Sequence, residues 1–222
     1  MRDDHPRQRQ MAQARHNIDR AKARRALLPT ALITCEGRVT EPVYLDALLR
    51  HLGLPVANVQ IAPGDNHSDA LAVVQRALDR FTLQPDFDHV FAVVDGEQAN
   101  LPEARTLARE NSLLRPDGRQ LTVDLIVSHP CFEYWLLLHF SPATQPLPDA
   151  GSAERALMQC DPRYRKNDRN ALAALAVRAD IALSHAAAAV SALQAAAATH
   201  PATDMPRLVL ALRTMAAQCQ RP

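Results

Sequence analysis

Three short apolar runs in this 222-residue chain give way to carboxylates. Glu36 follows "ALITC", Asp95 and Glu97 follow "HVFAVV" with Gly96 between them, and Glu133 stands just beyond "LIVSHP". If those runs are strands of one open parallel sheet, the acids gather where such sheets bind ligands, beyond the carboxyl ends of the strands. In extended backbone Asp95 and Glu97 point the same way, and two carboxylates side by side repel unless a cation lies between them. Hard oxygen donors of this kind suit Mg²⁺ or Mn²⁺, which takes one or two carboxylates, keeps several waters and accepts phosphate oxygens as further ligands. Each acid also has a plain structural reading. Glu36-Gly37 and Asp95-Gly96 can be turns, and Glu133 can complement a helix N-terminus. Joint occurrence at one sheet edge is what favours a metal site.

The elements that must position these groups alternate. "ALITCEG" reads as a strand. "TEPVYLDALLRHLGL" reads as a helix, with Leu45, Leu48, Leu49 and Leu52 on one face, Thr40 as its N-cap and Pro42 in its first turn. "NVQIAPG" is a second strand, followed by the helix "SDALAVVQRALDRF", capped by Ser68 or Asp69. "HVFAVVDGE" is a third strand, apolar throughout, as expected when both sheet faces are covered. The helix "LPEARTLARENSLL", the strand "LTVDLIVSHP" and the helix "CFEYWLLLHF", with Pro130 in its first turn, complete the series. In the last helix Phe132, Trp135, Leu136 and His139 fall on one face and read as core. Such alternation predicts an α/β fold with a mostly parallel sheet flanked by helices.

After "SPATQPLPDAGS" the composition changes, and residues 171–198 hold 15 alanines in 28, a strong helix signal. The chain therefore reads as a basic N-terminal arm over 1–25, an α/β core over 26–142 and a helical annex over 143–222 that completes the same globular unit. Residues 1–25 carry eight Arg and Lys against three Asp, so a basic arm precedes a slightly acidic body. The arm is either a solvated helix or a phosphate-contacting segment, lacking the aromatic residues that base reading would use. Cys35, Cys131, Cys160 and Cys219 include no CxxC pair, which argues against a zinc site or a disulfide framework. No apolar run reaches the length of a membrane span and no signal core opens the chain, so a cytoplasmic location is expected. No GxGxxG or P-loop pattern follows the first strand.

The strings "ITCEGRVTEPVY", "VFAVVDGE", "VSHPCFEYWLLLHF", "YRK" at 164–166 and "TDMPRLVLAL" at 203–212 resemble, in order and spacing, the RloB-like family over about residues 30–213. The resemblance implies a Toprim-like fold, a place in bacterial restriction and anti-phage defence, and an ATPase partner encoded nearby. It matches Glu36 to the Toprim general acid or base and Asp95 to the first metal-binding aspartate. The second aspartate falls on Glu97, so "DGE" stands where Asp-x-Asp is usual. It also raises Lys166 as the cation balancing charge at a scissile phosphate, with Arg165 beside it. Gly37 would let a phosphate approach the backbone. Arg38 and Ser128 are candidate substrate contacts. Glu41, in the first helical turn, reads as dipole compensation or as support behind the catalytic groups. The expected function is a Mg²⁺-dependent phosphodiesterase acting on RNA or DNA. The alternative is a nucleic-acid- or nucleotide-binding module, or a subunit of a defence complex, that does not cleave.

Overall fold

Strand β1 (Ala31–Cys35) buries all five of its residues, which requires cover on both faces of its sheet. It pairs in parallel with β2 (Val59–Ala62) on one side and β3 (His89–Asp95) on the other, and β3 pairs in parallel with β4 (Asp124–His129). A two-residue strand, β5 (Ala202–Thr203), adds antiparallel to β4 and gives the order β2-β1-β3-β4-β5. The computed structural model describes residues 28–65, 69–196 and 200–220; the basic arm and Ser68 lie outside them.

The alternation of strand side chains divides the interior in two. Ile33, Cys35, Phe91, Val93 and Ile126 face one cluster, while Leu32, Val90, Ala92, Val94 and Val127 face the other. Helices α2 (Ala70–Leu83) and α3 (Leu101–Glu110) cover the second face, and the Asp69 side chain caps α2 by accepting the Ala72 N–H. The first face receives α1 (Thr40–His51) and α4 (Phe132–Leu137). It also receives the annex helices α5 (Ala150–Cys160), α6 (Arg169–Ala176), α7 (Ala179–Ala195) and α8 (Met205–Cys219). Leu208 and Leu212 of α8 thus share a hydrophobic cluster with Ile33 and Trp135. Among the described residues no single helix is long and apolar enough to cross a membrane.

Several boundaries differ from the sequence reading. Val39, not Thr40, occupies the N-cap of α1, and the Thr40 hydroxyl instead donates to Asn167 Oδ1 at 3.1 Å. The predicted helix over 101–114 stops at Glu110, because Leu113–Leu114 pairs with Gln120–Leu121 as a small antiparallel ribbon. Pro130 precedes α4 by two residues, and Cys131 is the N-cap. The segment Phe132–His139 is buried on every side rather than along one stripe. His139 is a core residue as expected: its Nδ1 lies 3.1 Å from the Trp135 carbonyl and its Nε2 lies 3.1 Å from the Tyr44 hydroxyl. A carbonyl can only accept, so Nδ1 carries the proton and Nε2 accepts from Tyr44. Burial lowers this imidazole's pKa to about 4 and keeps it neutral.

Because annex and sheet share one core, Leu212→Ala should destabilise the whole molecule by about 2–5 kcal/mol. Denaturation followed by far-ultraviolet circular dichroism and by Trp135 fluorescence should give one coincident transition. Two separated transitions would mean that the annex folds independently.

Candidate functional site

Strand register brings the first two acids together. Cys35 lies beside Val93, so Glu36, one residue past β1, reaches Asp95 at the end of β3. Glu36 Oε2 accepts the Asp95 N–H at 3.0 Å and Oε1 accepts the Gln98 amide at 2.6 Å. Asp95 Oδ1 in turn accepts the Phe132 N–H at 2.9 Å. That contact carries the acid pair to the start of α4, where Glu133 is buried with one oxygen 3.2 Å from Lys166 Nζ. A fourth carboxylate, Glu41, is buried in the first turn of α1 and accepts the Gly37 N–H at 3.0 Å. Glu36, Glu41, Asp95 and Glu133 line one cavity of about 330 Å³ together with Gly37, Arg38, Lys166 and Asn167.

Like charges confined in this way resist ionisation. Burial pushes Asp95 up to about 9, and the neighbouring Glu36, Glu41 and Glu133 add to the shift. Burial likewise takes Glu41 to about 7, against the hydrogen bond from Gly37. Burial raises Glu36 as well, moderated by the Asp95 N–H and the Gln98 amide. For Lys166 burial opposes the charge, but Glu133 more than offsets it and holds the ammonium above its usual range. The pocket therefore keeps protons near neutral pH or takes up positive charge. Cys35 and Cys131 are buried nearby, and burial keeps both as thiols rather than thiolates.

The family comparison covers this region whole. The family described as RloB-like protein matches residues 31–212. The chain belongs to the RloB-like family. No curated protein and no solved structure matches it. The span shared with RloB-like proteins includes every side chain that lines the acidic cavity.

Not all candidates converge in this RloB-like chain. Strand β3 ends at Asp95, and the N–H groups of Gly96 and Glu97 turn back to the Ser128 and Pro130 carbonyls, which removes the two-residue alternation that would align Glu97 with Asp95. The Glu97 carboxylate instead accepts the Ala150 N–H at 3.0 Å at the start of α5 and lies outside the cavity lining. Ser128 is buried, its hydroxyl 2.7 Å from that of Thr203, and it ties β5 to β4. Arg165 donates to the Pro162 and Tyr164 carbonyls and braces its own loop. Arg38 is exposed and lines the cavity. Among the described residues no three His, Cys, Asp or Glu side chains form a set able to hold a metal ion. The donors present fit a hard cation held by one or two carboxylates, with water and substrate filling the shell, and do not fit an all-protein cage.

Three contributors were missed in the sequence. Gln98 is one, and no pattern marked it. Asn167 is another: at φ 69 it carries the loop from Lys166 to α6, and its tolerance of the left-handed region was a legible signal. The third is Gly64, whose N–H donates to the Gly37 carbonyl at 3.0 Å. A Cβ on Gly64 would fall 1.7 Å from the Glu36 carbonyl oxygen, and one on Gly37 would fall 2.1 Å from Glu41 Oε2. At Gly64 the obstacle is backbone, which leaves no room for a side chain, whereas at Gly37 the Glu41 carboxylate would have to shift.

The raised pKa of Asp95 has a consequence for stability. The folded state holds this proton between the unfolded value and about 9, so the contribution is complete in acid and is lost as pH rises through that window. Asp95→Asn preserves the oxygen that accepts from Phe132 and cannot ionise. In chelator at about pH 8, the variant should melt at a higher temperature than wild type, and the difference should close toward about pH 4. Equal melting temperatures throughout would show that Asp95 ionises without penalty.

Proposed function

We propose that the acidic cavity is the active centre of a Mg²⁺- or Mn²⁺-dependent phosphodiesterase acting on RNA or DNA, in a Toprim-like arrangement. The observation that carries this reading is the set of four carboxylates sharing one cavity with the Lys166 ammonium at the carboxyl edge of a parallel sheet. Asp95 and Glu133 would hold the cation, which when bound supplies charge stabilisation at the phosphate and a more acidic water. Glu36 moves the proton. It is half-buried, its pKa is raised by that burial, and the Asp95 N–H and Gln98 amide fix its orientation. A carboxyl group shifted upward by burial moves toward the range that a general acid or base requires. Lys166 sets a positive charge beside the reacting phosphate, and Glu133 keeps it protonated. Glu41 holds the Gly37 amide and so shapes the turn that carries Glu36. Arg38, exposed on the cavity wall, contacts the phosphate chain.

Family resemblance supports a role in anti-phage defence within the cytoplasm, alongside an ATPase partner; that part of the reading is analogy. One observation favours a second reading, a nucleic-acid-binding module without cleavage: Glu97 is engaged at α5, so a carboxylate expected in the metal set is outside the cavity. Purified protein incubated with mixed DNA and RNA in Mg²⁺, Mn²⁺ or EDTA separates the two. Cleavage should require the cation, and Glu36→Gln should slow it by roughly 10²–10⁴-fold. Retained binding with no cleavage under any condition would establish the binding module, and absence of both would sink both readings.

A further inference from the structure

A second cavity of about 330 Å³ opens on the other side of the Arg38 segment. It lies between α1, the edge strand β2 and the start of α6, and Arg38 lines both it and the acidic cavity. Val43, Val56, Val59, Ile61 and Pro63 form the apolar part of its lining, and Arg38, Asp46 and Arg169 the polar part. Val56, in this lining, is 61% exposed. Asp46, the acid in this lining, is ion-paired with Arg50.

We infer that this cavity is a subsite for one unpaired nucleotide adjoining the phosphate bound in the acidic pocket. The inference rests on the phosphodiesterase reading of that pocket and names the form of substrate it takes. Its size is at the lower end of small-molecule sites, enough for a single nucleoside and too small for a base pair. Apolar walls take the base and sugar. Arg38 and Arg169 supply the two things a strand needs there: positive charge for the backbone phosphates and planar guanidinium surfaces on which an unstacked base lies. Because Arg38 belongs to both cavities, a strand passing from one to the other meets a guanidinium at the step between the scissile phosphate and its neighbour. Occupancy of the subsite demands a nucleotide free of its pairing partner, so the enzyme selects single-stranded segments, loops or bulges.

The test is binding of a short, labelled single-stranded oligonucleotide to the full chain in EDTA, followed by anisotropy. The strand is used intact and as a series in which each position in turn is made abasic. Arg169→Ala and Val56→Glu change exposed side chains, and their melting temperatures show whether the fold is retained. Each should weaken binding of the intact strand roughly tenfold. In wild type, one abasic position should cost about the same factor, and in both variants that position should cost nothing further. If the folded variants bind every strand as tightly as wild type, or if no abasic position matters in wild type, the subsite is refuted; cleavage in Mg²⁺ would then show the phosphodiesterase reading to stand alone. Position-specific loss in the absence of any cleavage would support the subsite and remove the hydrolytic role. Unchanged nucleic-acid binding together with capture of a peptide at Val56 would reassign the cavity to a protein partner and overturn the proposal.

Discussion

Four carboxylates confined to one cavity with a single lysine ammonium in its lining repel one another, and the surrounding structure is arranged to hold them there. Parallel pairing of β1 with β3 sets Glu36 beside Asp95, and the entry to α4 brings Glu133 against the same space. Each acid is restrained by a donor: Asp95 N–H and Gln98 for Glu36, Phe132 N–H for Asp95, Gly37 N–H for Glu41 and Lys166 for Glu133. These bonds fix the geometry without neutralising the whole charge. Under the proposed metal-dependent function, a bound cation would return the stability that burial of these acids withholds at neutral pH.

The alanine-rich annex takes part in that arrangement. Its helices complete the apolar cluster under β1 and β3, and the loop before α6 delivers Lys166 to Glu133. The Thr40 hydroxyl joins that loop to α1 through Asn167, so the element that bears Glu41 and the element that bears Lys166 are fastened to each other at the cavity. Arg169, at the start of α6, extends the same junction to the second cavity. The annex thus contributes the cation of the site as well as its support.

Much of this was legible from residue types. Continuous apolar strands, Asp69 before an amphipathic helix and the switch to alanine after residue 150 led to the sheet, its helices and the annex, and strand-end acids led to one edge of the sheet. What sequence could not supply was the path of each backbone beyond its strand. The alternation argument for Glu97 assumed extended backbone through Gly96, whereas β3 stops at Asp95. Glu41 read as dipole compensation or as support behind the catalytic groups, and nothing local in the sequence revealed that it is buried in one cavity with Glu133 and Lys166. Strand β5 is two residues long and is defined by its partner, leaving no period to read. Thr40 had the chemistry of an N-cap, and a partner 127 residues away claimed its hydroxyl.

If the proposed metal site is occupied, a divalent cation must displace protons that these carboxylates share. Calorimetric titration with Mn²⁺ near neutral pH, repeated in buffers of different ionisation enthalpy, counts protons released per ion bound. The account predicts release of about one proton, lost in Asp95→Asn. Mn²⁺ binding with no proton release, or binding unchanged by Asp95→Asn, would contradict it.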